Sequence, residues 1–253
     1  SDAEAKLPSE NGFYANRAAA AGLIARVALQ QGDHTTAAAA ADRAINAVLA
    51  AGGGLARSYA AAFPNPYPPA PVSNTLEDVF AIQVNTSSGT NSFQTFFSAL
   101  GRGDIQIKDA HLALYEPGDD RLSLFYTSGG SVFTGKFDNV YGNVHVIRLA
   151  EMYLTRAEAN FRNSSAVGAT PLEDINTLRK RVGLPDLSQG QLDLNAILSE
   201  RKLELAFEGF NLHDIKRTKD AVGSLSYNSP KLVFPIPKRE ITVNPNLVQN
   251  EGY

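Results

Sequence analysis

The stretch that decides the fold of this chain is NRAAAAGLIARVALQQGDHTTAAAAADRAINAVLAAG, from Asn16 to Gly52. Its apolar residues recur every three or four positions, which is the spacing of one face of an α-helix. The members of that face are Leu23, Ile24, Val27 and Ala28. Because glycine commonly ends helices, the pair Gly32-Asp33 predicts a break between two helices.

The residues after the break predict a second helix, for which Thr35 or Thr36 is placed as the N-terminal cap. The many small residues on both segments let the two axes approach closely. The sequence therefore predicts an antiparallel helical hairpin between residues 13 and 52. Its spacing of small residues resembles that of a tetratricopeptide repeat, and a generic alanine-rich hairpin is the alternative.

A second group of helices is predicted toward the C-terminus. VIRLAEMYLTRAEANFR and TPLEDINTLRKRVGLP have helical periodicity, and Pro171 suits the first turn of a helix. DLNAILSERKLELAFEG predicts a third helix, capped by Asp193 or Asn195 and stopped by Gly209.

The segment between these helical regions has a different composition. From Tyr59 to Val146 it is rich in Pro, Gly, Ser, Asn and aromatic residues, with short runs that predict extended chain: DVFAIQVN, HLALYE and SVFTGKF. Long irregular insertions in a folded protein are usually functional or disordered, and the aromatic residues argue against disorder.

The last stretch, LVFPIPKREITVNPNLVQNEGY, cannot be a helix throughout because Pro235 and Pro237 lack backbone N–H donors. It predicts an extended segment with Leu232, Phe234 and Ile236 on one apolar face. Lys238 to Thr242 predicts a helical turn, and Asn244 to Asn246 a β-turn.

The composition narrows the function. The chain has 253 residues, of which 43% are hydrophobic, a formal net charge of −3 and no cysteine. It can bury a large core, lacks the basic surface of a nucleic-acid-binding protein, and has no thiolate zinc site or cysteine nucleophile. The four histidines have no metal-ligand spacing, so we expect no metal and no other cofactor.

Four C-terminal segments, in this order, carry a resemblance to a known family: RLAEMYLTRAEA, LEDINTLRKRVGLP, SERKLELAFEGFNLHDIKR and PIPKREITVNPNLVQNEGY. Together they resemble the SusD/RagB family of outer-membrane nutrient-binding lipoproteins. The resemblance runs from about Phe13 to Tyr253 and covers the C-terminal portion of the family's usual length, so we expect the family's N-terminal part, with its lipoprotein cysteine, to be absent here.

The resemblance implies a mainly α fold: a tetratricopeptide-like α-α superhelix with a long irregular loop-rich insertion and a C-terminal extended tail laid across the helical body. Residues 1–253 would form one SusD-like domain. Its parts are a helical hairpin (13–52), a ligand-facing insertion (53–147), a helical scaffold (148–227) and the tail (228–253).

The resemblance also implies a function. Such a protein binds oligosaccharides or other small nutrients at the cell surface of a Gram-negative bacterium, held to the outer membrane by a lipid anchor. It passes them to a SusC-like TonB-dependent transporter and breaks no bond. A tetratricopeptide-like protein-interaction scaffold and a glycoside hydrolase are the alternatives.

Carboxylates do not favour the hydrolase. A glycosidase needs two carboxyl groups across a cleft, whereas Glu200, Glu204 and Glu208 share one helical face with Arg201 and Lys202 interleaved. This arrangement predicts ion pairing in a packed helix.

Binding residues are instead expected in the insertion, because a sugar receptor needs flat aromatic rings beside polar groups. NTSSGTNSFQTFFSALGRGD and FPNPYPP supply the candidates. They are Tyr67, Asn91, Phe93, Gln94, Phe96, Phe97, Arg102 and Asp104. The alternative is that the phenylalanines form a small core of the insertion itself.

Overall fold

The computed structural model describes residues 2–87 and 89–253. Its α-helices are α1 (Asp2–Lys6), α2 (Arg17–Gln31), α3 (His34–Ala50), α4 (Ser92–Phe97), α5 (Asp109–Leu112), α6 (Leu149–Asn163), α7 (Pro171–Arg181), α8 (Leu194–Glu204), α9 (Asn211–Thr218) and α10 (Lys238–Val243). Its strands are β1 (Asp78–Ile82), β2 (Phe125–Ser128), β3 (Ser131–Thr134), β4 (Val144–Arg148), β5 (Ala221–Val222) and β6 (Leu225–Ser226). The fold is mainly α, as predicted.

The predicted hairpin is confirmed as α2 and α3. Helix α2 ends at Gly32, which has a φ of 76° that glycine adopts without strain. The predicted cap of α3 is wrong, because Asp33 caps this helix by accepting a hydrogen bond from the Thr36 backbone N–H at 3.0 Å. The carboxylate directly after the αL glycine reaches the first free N–H groups, so both threonines fall inside the helix.

The helices stack in chain order: α2 packs on α3, α3 on α6, and α6 on α7 and α8. Small residues make the contact between the first layers, where Ala25, Ala41 and Ala44 are fully buried beside Leu149 and Met152. This layered stack of antiparallel helices is the expected tetratricopeptide-like architecture.

The predicted apolar face of α2 is only partly buried. Leu23 and Val27 are exposed, whereas Ala21, Ala25 and Ala28 make the packed face. Only small side chains fit on this face, because the neighbouring elements lie close to it. A Cβ added at Gly22 would lie 3.2 Å from the Ile147 side chain.

In the helical scaffold, Thr170 and Glu173 form a capping box at the start of α7, with Pro171 in the first turn as predicted. Asp193 caps α8, which confirms one of the two predicted caps. The predicted stop at Gly209 is wrong, because α8 ends at Glu204 and the chain turns between residues 205 and 209.

The insertion contains more regular structure than its composition indicates. Strand β1, within DVFAIQVN, pairs antiparallel with β4, and β2 pairs antiparallel with β3, within SVFTGKF. The run HLALYE is not extended, because α5 includes its first two residues and turns follow. A four-residue helix is too short for periodicity to reveal.

The predicted apolar face of the tail is not buried. Phe234 is 85% exposed, and Leu232 and Ile236 are only partly covered. The tail instead bonds to itself: Gln249 exchanges two hydrogen bonds with the Ile236 backbone, and the Tyr253 hydroxyl donates to the Val233 carbonyl. The predicted helical turn (α10) and the β-turn at residues 244–247 are confirmed.

Within residues 2–87 and 89–253, no helix combines the length and apolarity that crossing a lipid bilayer requires.

Candidate ligand-binding site

A cavity of about 560 Å³ lies where the insertion meets the helical scaffold. The insertion contributes side chains from α4, His111 from α5, and side chains from the turn at Phe137 and the start of β4. The scaffold contributes the end of α8, the turn at residues 206–209 and the start of α9. The volume falls within the range of small-molecule sites, so this cavity is the candidate ligand-binding site.

Four phenylalanines form an aromatic wall of this cavity: Phe93, Phe97, Phe137 and Phe207. The Phe93 and Phe137 rings are stacked, with centroids 5.2 Å apart and an interplanar angle of 24°. Phe97 lies 5.1 Å from Phe137 and 6.3 Å from Phe207. The wall therefore joins rings of the insertion to one ring of the scaffold.

Phe207 holds its place in this wall at a conformational cost. Its φ is 68°, in the left-handed region that a bulky residue rarely adopts. Such strain concentrates at functional sites, where the surrounding structure enforces it. The turn after α8 therefore positions the Phe207 ring at the cavity against its local backbone preference.

A buried ion network supports the scaffold side of the cavity. Glu208, which lines the cavity, accepts hydrogen bonds from Lys136 at 2.8 Å and from two nitrogens of Arg148 at 2.8 Å each. Burial raises the pKa of Glu208, but the charges of Arg148 and Lys136 outweigh burial and lower this pKa to about 2. Burial lowers the pKa of Lys136 to about 8.

The network continues away from the cavity and crosses between the insertion and the scaffold. Arg148 also bonds Glu77 at 2.8 Å and Glu204 at 3.2 Å, and Arg121 bonds Glu200 at 2.5 Å. Ion pairing of the α8 glutamates is thus confirmed. Their partners, however, are arginines from other elements, whereas Arg201 pairs with Asp214.

Two amides that line the cavity are already engaged by the protein. Asn91 caps α4 by accepting from the Phe93 N–H, and it donates to the Gly142 carbonyl at 3.0 Å. Asn143 accepts from the Val84 N–H and donates to three oxygens. Both amides therefore fix the walls of the cavity.

Other polar groups at the cavity remain free. The ammonium of Lys202 is exposed and has no hydrogen bond or ion pair with any residue the structure describes. His145 bonds Asp78 through Nδ1 at 2.5 Å, which leaves Nε2 without a partner among the described residues. Burial raises the pKa of Asp78, but the His145 hydrogen bond and charge help to lower it, so this carboxylate is ionised.

The structure brings three of the eight candidate residues to the cavity: Asn91, Phe93 and Phe97. Phe93 and Phe97 lie one turn apart on α4 and both line the cavity, whereas Phe96 contacts Arg102 instead. Phe93 is 41% exposed, so the alternative of an internal core does not hold for this ring.

The other candidates lie outside the cavity lining. Phe96 contacts the Arg102 guanidinium 5.0 Å from its ring centre, and Arg102 pairs with Asp104. Gln94 is buried, and Tyr67 is 97% exposed. The sequence predicts a loop, not a helix, for residues 85–104. It therefore gives no basis for deciding which of these side chains share a face.

Sequence reasoning missed the scaffold half of the site, namely Phe207 and Lys202. Both belong to the segment DLNAILSERKLELAFEG, for which the sequence predicts one continuous helix up to Gly209. The apolar run Leu205-Ala206-Phe207 on several faces was the available signal that the helix ends early. Among the described residues, no cluster of three or more His, Asp or Glu side chains could hold a metal ion.

Comparison with known proteins gives the chain its relatives. Residues 134–231 match the SusD family. The starch-binding protein SusD of Bacteroides thetaiotaomicron is 34% identical over 124 residues, which cover 44% of this chain and 22% of that protein.

Solved structures match nearly the whole chain. A Bacteroides vulgatus protein, named as a candidate sugar-binding protein, has a TM-score of 0.84 at 26% identity. The match covers 99% of this chain and 62% of that protein's chain. A SusD superfamily protein of the same species has a TM-score of 0.81 at 24% identity, covering 100% and 63%. The chain spans less than two thirds of these relatives. Residues 134–231 are thus similar to the SusD family, as the first three of the four C-terminal motifs predict, and the chain shares its overall fold with these solved structures.

Proposed function

We propose that this protein binds glycans in the cavity at the cell surface of a Gram-negative bacterium, as an outer-membrane lipoprotein. It delivers them to a SusC-like TonB-dependent transporter without breaking a bond. The name of the starch-binding relative supports a glycan as the ligand. The surface location and the transporter are what the resemblance of the C-terminal motifs to the SusD/RagB family implies.

The aromatic wall is the observation that carries the proposal. A pyranose ring has an apolar face of C–H groups, and that face stacks on flat aromatic rings. Phe93 and Phe207 present such rings from the two sides of one open cavity. Because the charges behind the wall fix its position, little ordering is needed when the ligand binds.

The absence of catalysis is part of the proposal and rests on Glu208. A glycosidase needs a carboxyl group that can be protonated near neutral pH. Arg148 and Lys136 instead lower the pKa of Glu208 to about 2, so it is a poor general acid. We expect no reducing-end products when the protein is incubated with a glycan panel, and product formation would revive the hydrolase.

The test uses a matched pair of phenylalanines on α4. Phe93 and Phe96 are 41% and 40% exposed, but only Phe93 lines the cavity. In calorimetric titrations with a panel of oligosaccharides, Phe93→Ala should weaken binding about tenfold. Phe96→Ala should leave binding unchanged. Equal loss in both variants, or no saturable heat with any glycan, would contradict the proposal.

One observation favours a second function, protein binding by the helical stack. Leu23 and Val27 are exposed on α2 beside a groove of about 310 Å³. A folded protein that gives no saturable heat with any glycan would leave this scaffold function as the better candidate.

A further inference from the structure

We propose that the cavity prefers a sugar residue that carries a negative charge, as a carboxylate or a sulfate ester. This inference rests on the glycan binding proposed above and names the class of glycan. Its basis is the difference between the polar groups that the protein has already used and those that it leaves free at the cavity.

Two of the three amide side chains that line the cavity are engaged, and Asn211 is left without a hydrogen bond to any described residue. Amide side chains read sugar hydroxyls well because each both donates and accepts hydrogen bonds. The amides of Asn91 and Asn143, however, are bound to backbone and side-chain groups of the insertion. The aromatic wall consists of phenylalanines, which offer no hydroxyl. A neutral sugar would therefore find few specific partners.

The free charge at the cavity is positive. The Lys202 ammonium lines the cavity and is unpaired within the part of the chain that the structure describes. An ammonium offers three hydrogen-bond donors and favours an anionic oxygen.

The one carboxylate that lines the cavity does not cancel this charge. Glu208 is bound by both Arg148 and Lys136, so the group as a whole is not anionic. Helix α9 also begins at the cavity, where Asn211 and Leu212 line the wall, and no side chain caps it. Its first N–H groups add partial positive charge of the same sign, although the Lys202 ammonium carries the argument.

The experiment measures the affinity ratio between acidic and neutral glycans. The probes are trisaccharides of several linkages, each offered as a neutral form, its uronate counterpart and its 6-sulfate. In calorimetry at low salt we expect that, for at least one linkage, the acidic form binds roughly threefold to fivefold tighter than the neutral form. This preference should shrink when the NaCl concentration is raised from about 20 mM to about 300 mM, because salt screens an exposed charge.

Lys202 variants test the residue itself. Lys202→Met should reduce the acidic-to-neutral ratio to about one, and Lys202→Arg should retain the preference. Lys238→Met is the control, since this exposed lysine lies outside the cavity lining. Thermal unfolding of each variant checks that the fold is intact.

The outcomes separate the two proposals. Equal affinities within every set, or a preference for the neutral form, would overturn the charge preference and leave glycan binding standing. A preference that survives in Lys202→Met would also overturn the role of Lys202. If no member of any set binds, the proposed function fails together with this inference.

Discussion

The helical stack and the boundary between insertion and scaffold differ in the balance of apolar packing and buried charge, although ion pairs such as Arg156 with Asp42 also cross the stack. The stack of α2, α3 and α6 is packed from small and aliphatic side chains, such as Ala25, Ala44 and Leu149, with almost no exposure. The insertion packs Tyr59 and Phe63 against Val182, and it is attached in addition through buried charges. Examples are the pairs of Glu77 with Arg148 and of Arg121 with Glu200.

The difference matters for the candidate site. Apolar packing is not directional, and it tolerates repacking of similar volumes. Charge-assisted hydrogen bonds have fixed geometry. The boundary between insertion and scaffold, where the cavity lies, is therefore set by directional contacts and should be more sensitive to the loss of one charge than the helical stack.

The largest effect on stability is expected from Arg148→Met. A small effect would contradict the greater sensitivity of the boundary to the loss of one charge. Arg148 bonds Glu77, Glu204 and Glu208, and its loss leaves buried carboxylates without a partner. We expect a loss of about 3–5 kcal/mol in the free energy of unfolding, measured by urea denaturation. Lys180→Met, which removes an exposed pair with Asp186, should cost no more than about 1 kcal/mol.

Acid should weaken the same boundary. The folded pKa of Glu208 is about 2, below its ordinary value of 4.5, so its contribution is fully present above pH ~4.5. The contribution is lost as the pH falls toward 2, and it amounts to about 3 kcal/mol. Urea denaturation at pH values between about 6 and about 3 should show that the free energy of unfolding falls as the solution becomes more acidic. In Glu208→Gln the fall should be smaller, and an unchanged slope would argue against the role of Glu208.

Phe207 sharpens the comparison at the cavity itself. Both Phe207→Ala and Phe207→Gly remove the ring, but only glycine adopts a φ of 68° without strain. The glycine variant should therefore be more stable than the alanine variant by ~1 kcal/mol in thermal unfolding. Both variants should lose glycan affinity. A more stable alanine variant would show that the left-handed backbone is not strained.

The smallest effect concerns the helical hairpin, where local signals dominate. Asp33→Ala removes the hydrogen bond that caps α3 and should lower the unfolding temperature. Thr35→Ala, within the first turn, should change the stability by no more than about 0.5 kcal/mol. Thermal unfolding of the pair decides between them, and a reversed order would restore threonine as the cap.

Within this comparison, the two regions also differ in how far the sequence predicted them. The helices of the scaffold are largely predicted by the sequence, because periodicity, the first-turn proline Pro171 and the cap Asp193 are local signals. In the insertion, the short helix α4 and the β1–β4 pairing were not predicted. A six-residue helix has too few turns for a period, and strand pairing between distant segments leaves no local trace.

The amino-acid sequence by itself determined the mainly α class, the helical hairpins, the SusD resemblance and the presence of Phe93 and Phe97 at a candidate site. These depend on residues that are neighbours along the chain, where helical spacing and capping act. Only the tertiary structure decided that Phe207 and Lys202 complete the cavity, that Phe96 and Arg102 lie outside it, and that the tail bonds to itself. The reason is physical: long-range ion pairs and the early end of α8 bring these side chains together, and neither is encoded in a local pattern.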